Sequence, residues 1–111
     1  MEYEEIKPIS RIEAEAIFDS SNDYKISKAL VRLAYYDEDW RWVQSKCLEY
    51  LENSGKEIQS TAVLCLGHLA RIHHQLDLET VLPVLMELRN DSSLIGKIED
   101  TLDDIRIYID S

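Results

Sequence analysis

The stretch Lys56–His73, KEIQSTAVLCLGHLARIH, is followed by LDLETVLPVLMELRND at 76–91 and SSLIGKIEDTLDDIRIYI at 92–109. In the first segment Ile58, Ala62, Cys65, Leu66, Leu69 and Ile72 recur at three- and four-residue spacing, and Val63 and Leu64 lie further round the same helix. That period marks an amphipathic helix, and one apolar on most sides belongs at the centre of a helical stack. The second segment places Val81, Leu82, Leu85 and Leu88 on one face of a helix over 78–90, with Asp77 as its cap and Pro83 in its interior as an expected kink. The third places Ile95, Ile98, Leu102, Ile105 and Ile109 on one face of a helix over 94–109.

Three more helices precede these. The spacing predicts a short one over 11–19, opened by Ser10 with Glu13 in capping-box position. A second spans 23–36 with Ile26, Ala29, Leu30, Leu33 and Tyr36 inward. A third spans 40–52, capped by Asp39, with Trp40, Val43, Cys47, Tyr50 and Leu51 inward. No stretch alternates as a half-buried strand does, so the fold class is all-α. Short loops force consecutive helices to run antiparallel.

The helices repeat. Ala29 and Leu33 match Ala62 and Leu66 at an offset of 33, and Ala62, Leu66 and Leu69 match Ile98, Leu102 and Ile105 at an offset of 36. Leu48 and Leu51 lie 37 positions before Leu85 and Leu88. A two-helix unit at this period predicts a short α-solenoid of antiparallel helix pairs. One domain is expected over 1–111, with residues 1–21 as an N-terminal cap and 22–111 as the repeats.

The segment from Asp23 to Ile109 resembles the HEAT-repeat family, chiefly through the three segments quoted above. It departs from the family's Asp-x-x-Val-Arg pattern, since Gln59 follows Ile58 and Gly96 follows Ile95. Through DEDWRWVQ, CLGHLARIH and EDTLDDI the chain also looks like small bacterial HEAT-like proteins, some of which are immunity proteins to polymorphic or contact-dependent toxins. That resemblance implies a cytoplasmic protein that binds and neutralises a toxin domain. The alternative is an adaptor or assembly subunit for a housekeeping partner.

Composition narrows the function classes. The formal net charge of -10 disfavours nucleic acid and anionic lipid, whose binding relies on lysine and arginine, and suits a protein partner with a basic surface. The acidic start, MEYEEIKPIS, lacks the pattern of a signal or transit peptide, and the longest apolar run, Val81–Met86, is far below the roughly 20 residues of a membrane span. Cys47 and Cys65 stand apart beside aliphatic residues, as buried thiols do in a reducing cytoplasm.

No cofactor is expected. His68, His73 and His74 have poor spacing for the three convergent ligands of a zinc site, and no GxSxG, HExxH or P-loop pattern points to an enzyme. Two binding surfaces stand out instead. On the third helix Trp42 falls opposite the apolar stripe, with Lys46 and Glu49 on its side, and Thr80, Pro83 and Glu87 hold matching places on the fifth helix. In the HEAT family such helices line a concave face, which implies a groove with one aromatic anchor; the other use for Trp42 is to cover a loop or the first helix. On the last helix Asp100, Asp103 and Asp104 lie opposite the apolar stripe with Glu99 at the flank. They form either an acidic ridge for a basic partner or the solvated cap of the stack.

Overall fold

A computed structural model describes residues 5–109. Its helices are α1 (Arg11–Phe18), α2 (Asp23–Tyr36), α3 (Trp40–Asn53), α4 (Lys56–His73), α5 (Leu78–Leu88) and α6 (Ile95–Tyr108). Each lies within two residues of its sequence-based bounds, because the signals that start and stop a helix are local. The Ser10 hydroxyl accepts the Glu13 amide at 3.1 Å, Asn22 accepts the Lys25 amide at 3.0 Å, and Asp39 accepts the Trp42 amide at 3.1 Å. Helix α4 ends at His74, whose φ of 56° is left-handed and turns its amide back to the Ala70 carbonyl.

Asp77 caps differently from expectation. Its carboxylate takes the Thr80 hydroxyl at 2.8 Å rather than a free amide, and its own amide donates to the Gln44 side chain at 2.7 Å. The buried Gln44 thereby joins α3 to the start of α5. Helix α5 runs unbroken through Pro83, whose ring faces solvent.

Helices α2, α4 and α6 lie side by side and run the same way. Tyr35 of α2 meets His68 of α4 edge-on, with ring centroids 4.7 Å apart. The Thr101 hydroxyl of α6 donates to the Val63 carbonyl of α4 at 3.0 Å, Arg71 of α4 pairs with Asp104 of α6, and His74 lies against Tyr108 at 5.8 Å. Several of these links span 33 to 38 residues, close to the offsets of the sequence repeat. The antiparallel connectors α3 and α5 complete the solenoid-like stack.

Helix α4 is central, packing against α2, α3 and α6. It buries Ile58, Ala62, Val63, Cys65, Leu66, Leu69 and Ala70. Leu30 and Leu33 of α2, Val43 and Cys47 of α3, Val81 and Leu85 of α5 and Ile98 of α6 fill the remaining core, all at 0% exposure. Both cysteines are free and buried.

Three side chains expected inside are out. Tyr36, Ile72 and Ile95 remain 48%, 44% and 42% exposed. All three sit in end turns, where a helix has fewer neighbours, and the Tyr36 hydroxyl reaches out to donate to the Ile6 carbonyl at 3.0 Å. With Arg32, which donates to the carbonyls of Lys7 and Pro8 at 2.8 and 2.7 Å, it straps residues 6–8 onto α2.

Candidate partner-binding surfaces

The α3 side of the expected groove is partly claimed by the fold itself. Trp42 is half-buried against the core, and the Arg11 guanidinium of α1 lies 4.0 Å from its ring centroid. Arg11 also donates to Asp39 at 2.9 Å, so α1 is clamped over the start of α3. That hydrogen bond, followed by the one from the Trp42 amide, holds the Asp39 carboxyl below its ordinary pKa. Trp42 therefore does not stand out into solvent as its helical angle alone suggests: α1, a short and remote element, folds over it.

Lys46 pairs with Glu49 at 3.4 Å while its ammonium also sits 5.7 Å from the Phe18 ring centroid. The Glu49 side chain stays 65% exposed. On α5, Thr80 is exposed with its hydroxyl given to Asp77, and Glu87 is exposed beside a half-exposed Met86. Among the described residues no hydrogen bond or ion pair joins Lys46 or Glu49 to Thr80 or Glu87. Glu49, Thr80 and Glu87 keep their exposure, whereas Trp42 is half-covered.

The acidic ridge on α6 divides. Asp100 is exposed, and Asp103 is exposed while pairing with Arg106 at 2.6 Å. Asp104 instead turns toward α4, where its side chain is 19% exposed and accepts from Arg71. Arg71 donates as well to Nδ1 of His68, which makes that nitrogen the acceptor of a neutral imidazole. Burial, with Arg71 alongside, lowers the His68 pKa to about 4.

Gly67 makes room for this network. A methyl group there would lie 3.1 Å from the Asp104 carboxylate and 3.2 Å from the Thr101 hydroxyl. Asp104 is thus first a clasp between repeats, and the exposed acidic edge consists of Asp100 and of Asp103 with its Arg106 partner. The two aspartates line an open cleft of 440 Å³ with Leu64 and Lys97.

A larger cleft of 820 Å³ lies between residues 5–7, α2 and α4, lined by Tyr24, Ser27, Val31 and Leu64 among others. Nothing in the sequence announces it, because its wall is the strapped N-terminal segment and the strap depends on contacts about 25 residues apart. The three histidines go separate ways: His68 faces Arg71 and Tyr35, His74 faces Tyr108, and Nε2 of His73 is buried. Among the described residues no three His, Cys, Asp or Glu side chains are placed to hold a metal ion, and no helix is long and apolar enough to cross a membrane.

No protein-family model matches the chain, and no curated protein matches it. Among solved structures, it is similar to a chain in the crystal structure of a CDI complex from Cupriavidus taiwanensis. The two are 34% identical, the match covers 97% of this chain and 96% of that one, and the TM-score is 0.85. Identity at that level, sustained from end to end over one helical architecture, means common descent, and this chain belongs to the same family as that component of the CDI complex.

Proposed function

We propose that this chain is the immunity protein of a contact-dependent growth inhibition pair, a non-catalytic cytoplasmic protein that binds one toxin domain and blocks it. The observation that carries the reading is the end-to-end likeness to a chain found in a CDI complex. A family member seen within such a complex has an architecture built to hold a protein partner. The charge agrees with that role, since a net charge of -10 suits a toxin with a basic surface and hastens encounter with it. Exposed carboxylates such as Asp100 on α6 are available to such a surface.

The test is co-expression with the product of the adjacent gene, which this reading expects to be a toxin domain. Cells making the toxin should resume growth when this chain is also made, and the two proteins should purify as a complex of fixed stoichiometry. Continued growth arrest with both proteins soluble, together with their separate elution, would refute the proposal.

A further inference from the structure

The parallel arrangement of α2, α4 and α6 brings the C-terminal turns of all three to one edge. Tyr35 and Tyr36 close α2, with ring centroids 6.2 Å apart, and Tyr35 packs on His68 of α4. One turn beyond His68 is the half-exposed Ile72, and just past the helix His74 lies against the exposed ring of Tyr108 on α6. Tyr36, Ile72, His74 and Tyr108 therefore form an exposed row of aromatic and aliphatic groups across three helices.

The same edge carries the loops that follow α2 and α4. These loops, Asp37-Glu38-Asp39 and His74-Gln75-Leu76-Asp77, contain four carboxylates and no lysine or arginine. The hydrogen bond from the Asp77 amide to Gln44, in the second turn of α3, sets the second loop beside the first. Arg11 engages Asp39 and the Thr80 hydroxyl engages Asp77, whereas Glu38 is exposed. At the opposite edge lie the first turns of α4 and α6, with Lys56 paired to Asp91 and Lys97 exposed.

We infer that this edge is the docking surface for a protein partner presenting arginine or lysine side chains. The inference rests on the immunity reading above and adds the surface and the partner's chemistry. Aromatic faces near an exposed carboxylate such as Glu38 are what a guanidinium or ammonium group binds: the ring attracts the cation, the carboxylate pairs with it, and the aliphatic stem packs on an aliphatic side chain such as Ile72. The protein already uses this pairing internally, with Arg11 on Trp42 and Arg41 on Trp40. A negatively charged partner is excluded by the loops, and a purely apolar one would leave Glu38 desolvated without a counter-ion.

The experiment measures affinity, by calorimetry at low and high salt, for the toxin domain identified by the co-expression test above. Glu38→Lys and Tyr108→Ala should each weaken binding at least tenfold, and Glu38→Lys should flatten its salt dependence. Glu52→Lys, the same charge change in the last turn of α3 at the opposite edge, is the control and should alter affinity less than threefold. Tyr108→Ala touches His74, so its helical signal is checked by circular dichroism; Glu38→Lys alters an exposed loop side chain and carries the test if the tyrosine variant unfolds. Parental affinity in both edge variants, or equal losses in Glu38→Lys and Glu52→Lys, would overturn the docking surface and leave the immunity reading standing. No binding by the parent would overturn both.

Discussion

Neutralising Asp104 should destabilise the protein, whereas neutralising Asp100, one helical turn earlier on the same helix, should not. The Asp104 side chain is 19% exposed and its Arg71 partner 33%, so the pair is screened less than a surface ion pair. A hydrogen bond to a charged group contributes about 1.5–3 kcal/mol, and residual exposure points to the lower end of that range. Removing a carboxylate from the C-terminal half of α6 returns roughly 0.3 kcal/mol through the helix dipole. Asp104→Asn should thus cost about 1 kcal/mol, a fall in Tm of around 4 °C, while Asp100→Asn stays within about 0.5 kcal/mol of the parent. Urea unfolding followed by circular dichroism measures both. In an Arg71→Gln background the Asp104→Asn cost should vanish, because the charge it answers is gone. Equal stability of the two asparagine variants would refute the clasp between α4 and α6.

Trp42→Ala should lower stability by about 2 kcal/mol, because its ring is half-buried against the core under Arg11; an unchanged urea midpoint would return Trp42 to the role of a free surface anchor. Leu66→Ala, at the centre of α4 with 0% exposure, should cost about 3 kcal/mol or more in the same assay. Stability should also depend on pH through His68. Its folded pKa of about 4 lies below the ordinary 6.5, so the unfolded chain takes up the proton first, and this contribution is complete above pH 6.5 and is lost as pH falls toward 4. His68→Gln should lack that part of the acid loss, as the difference between the two pH–stability curves will show. Asp91 is held at about 2 by hydrogen bonds from Lys56 and Ser93, so its contribution is present above the ordinary carboxylate pKa and fades below it; Lys56→Met should reduce the stability gained between pH 2 and 4.

The helices were legible because their determinants are local: Ser10 and Asp39 cap as their types and positions imply, and the stripes of α2, α3 and α4 needed only the helical period. The repeat offset was legible too, since stacking like helices requires like faces, and the links from Arg71 to Asp104 and from Gln44 to Asp77 both span 33 residues. A helical angle, in contrast, says which way a side chain leaves its helix and not what waits there. Trp42 points away from the stripe of α3 and still meets Arg11, because α1 returns over it. Asp104 points away from the stripe of α6 and still meets Arg71, because Gly67 lets the two helices close on their polar flanks as well as their apolar ones. In a stack of repeats each helix has neighbours on two or three sides, so "opposite the stripe" names solvent only on terminal helices and in end turns. Tyr36, Ile72 and Tyr108 show the converse, as residues of apolar character left outside because they occupy those turns. Surfaces for a partner are accordingly sought where helices end together, which is where side chains that the core does not use come to lie side by side.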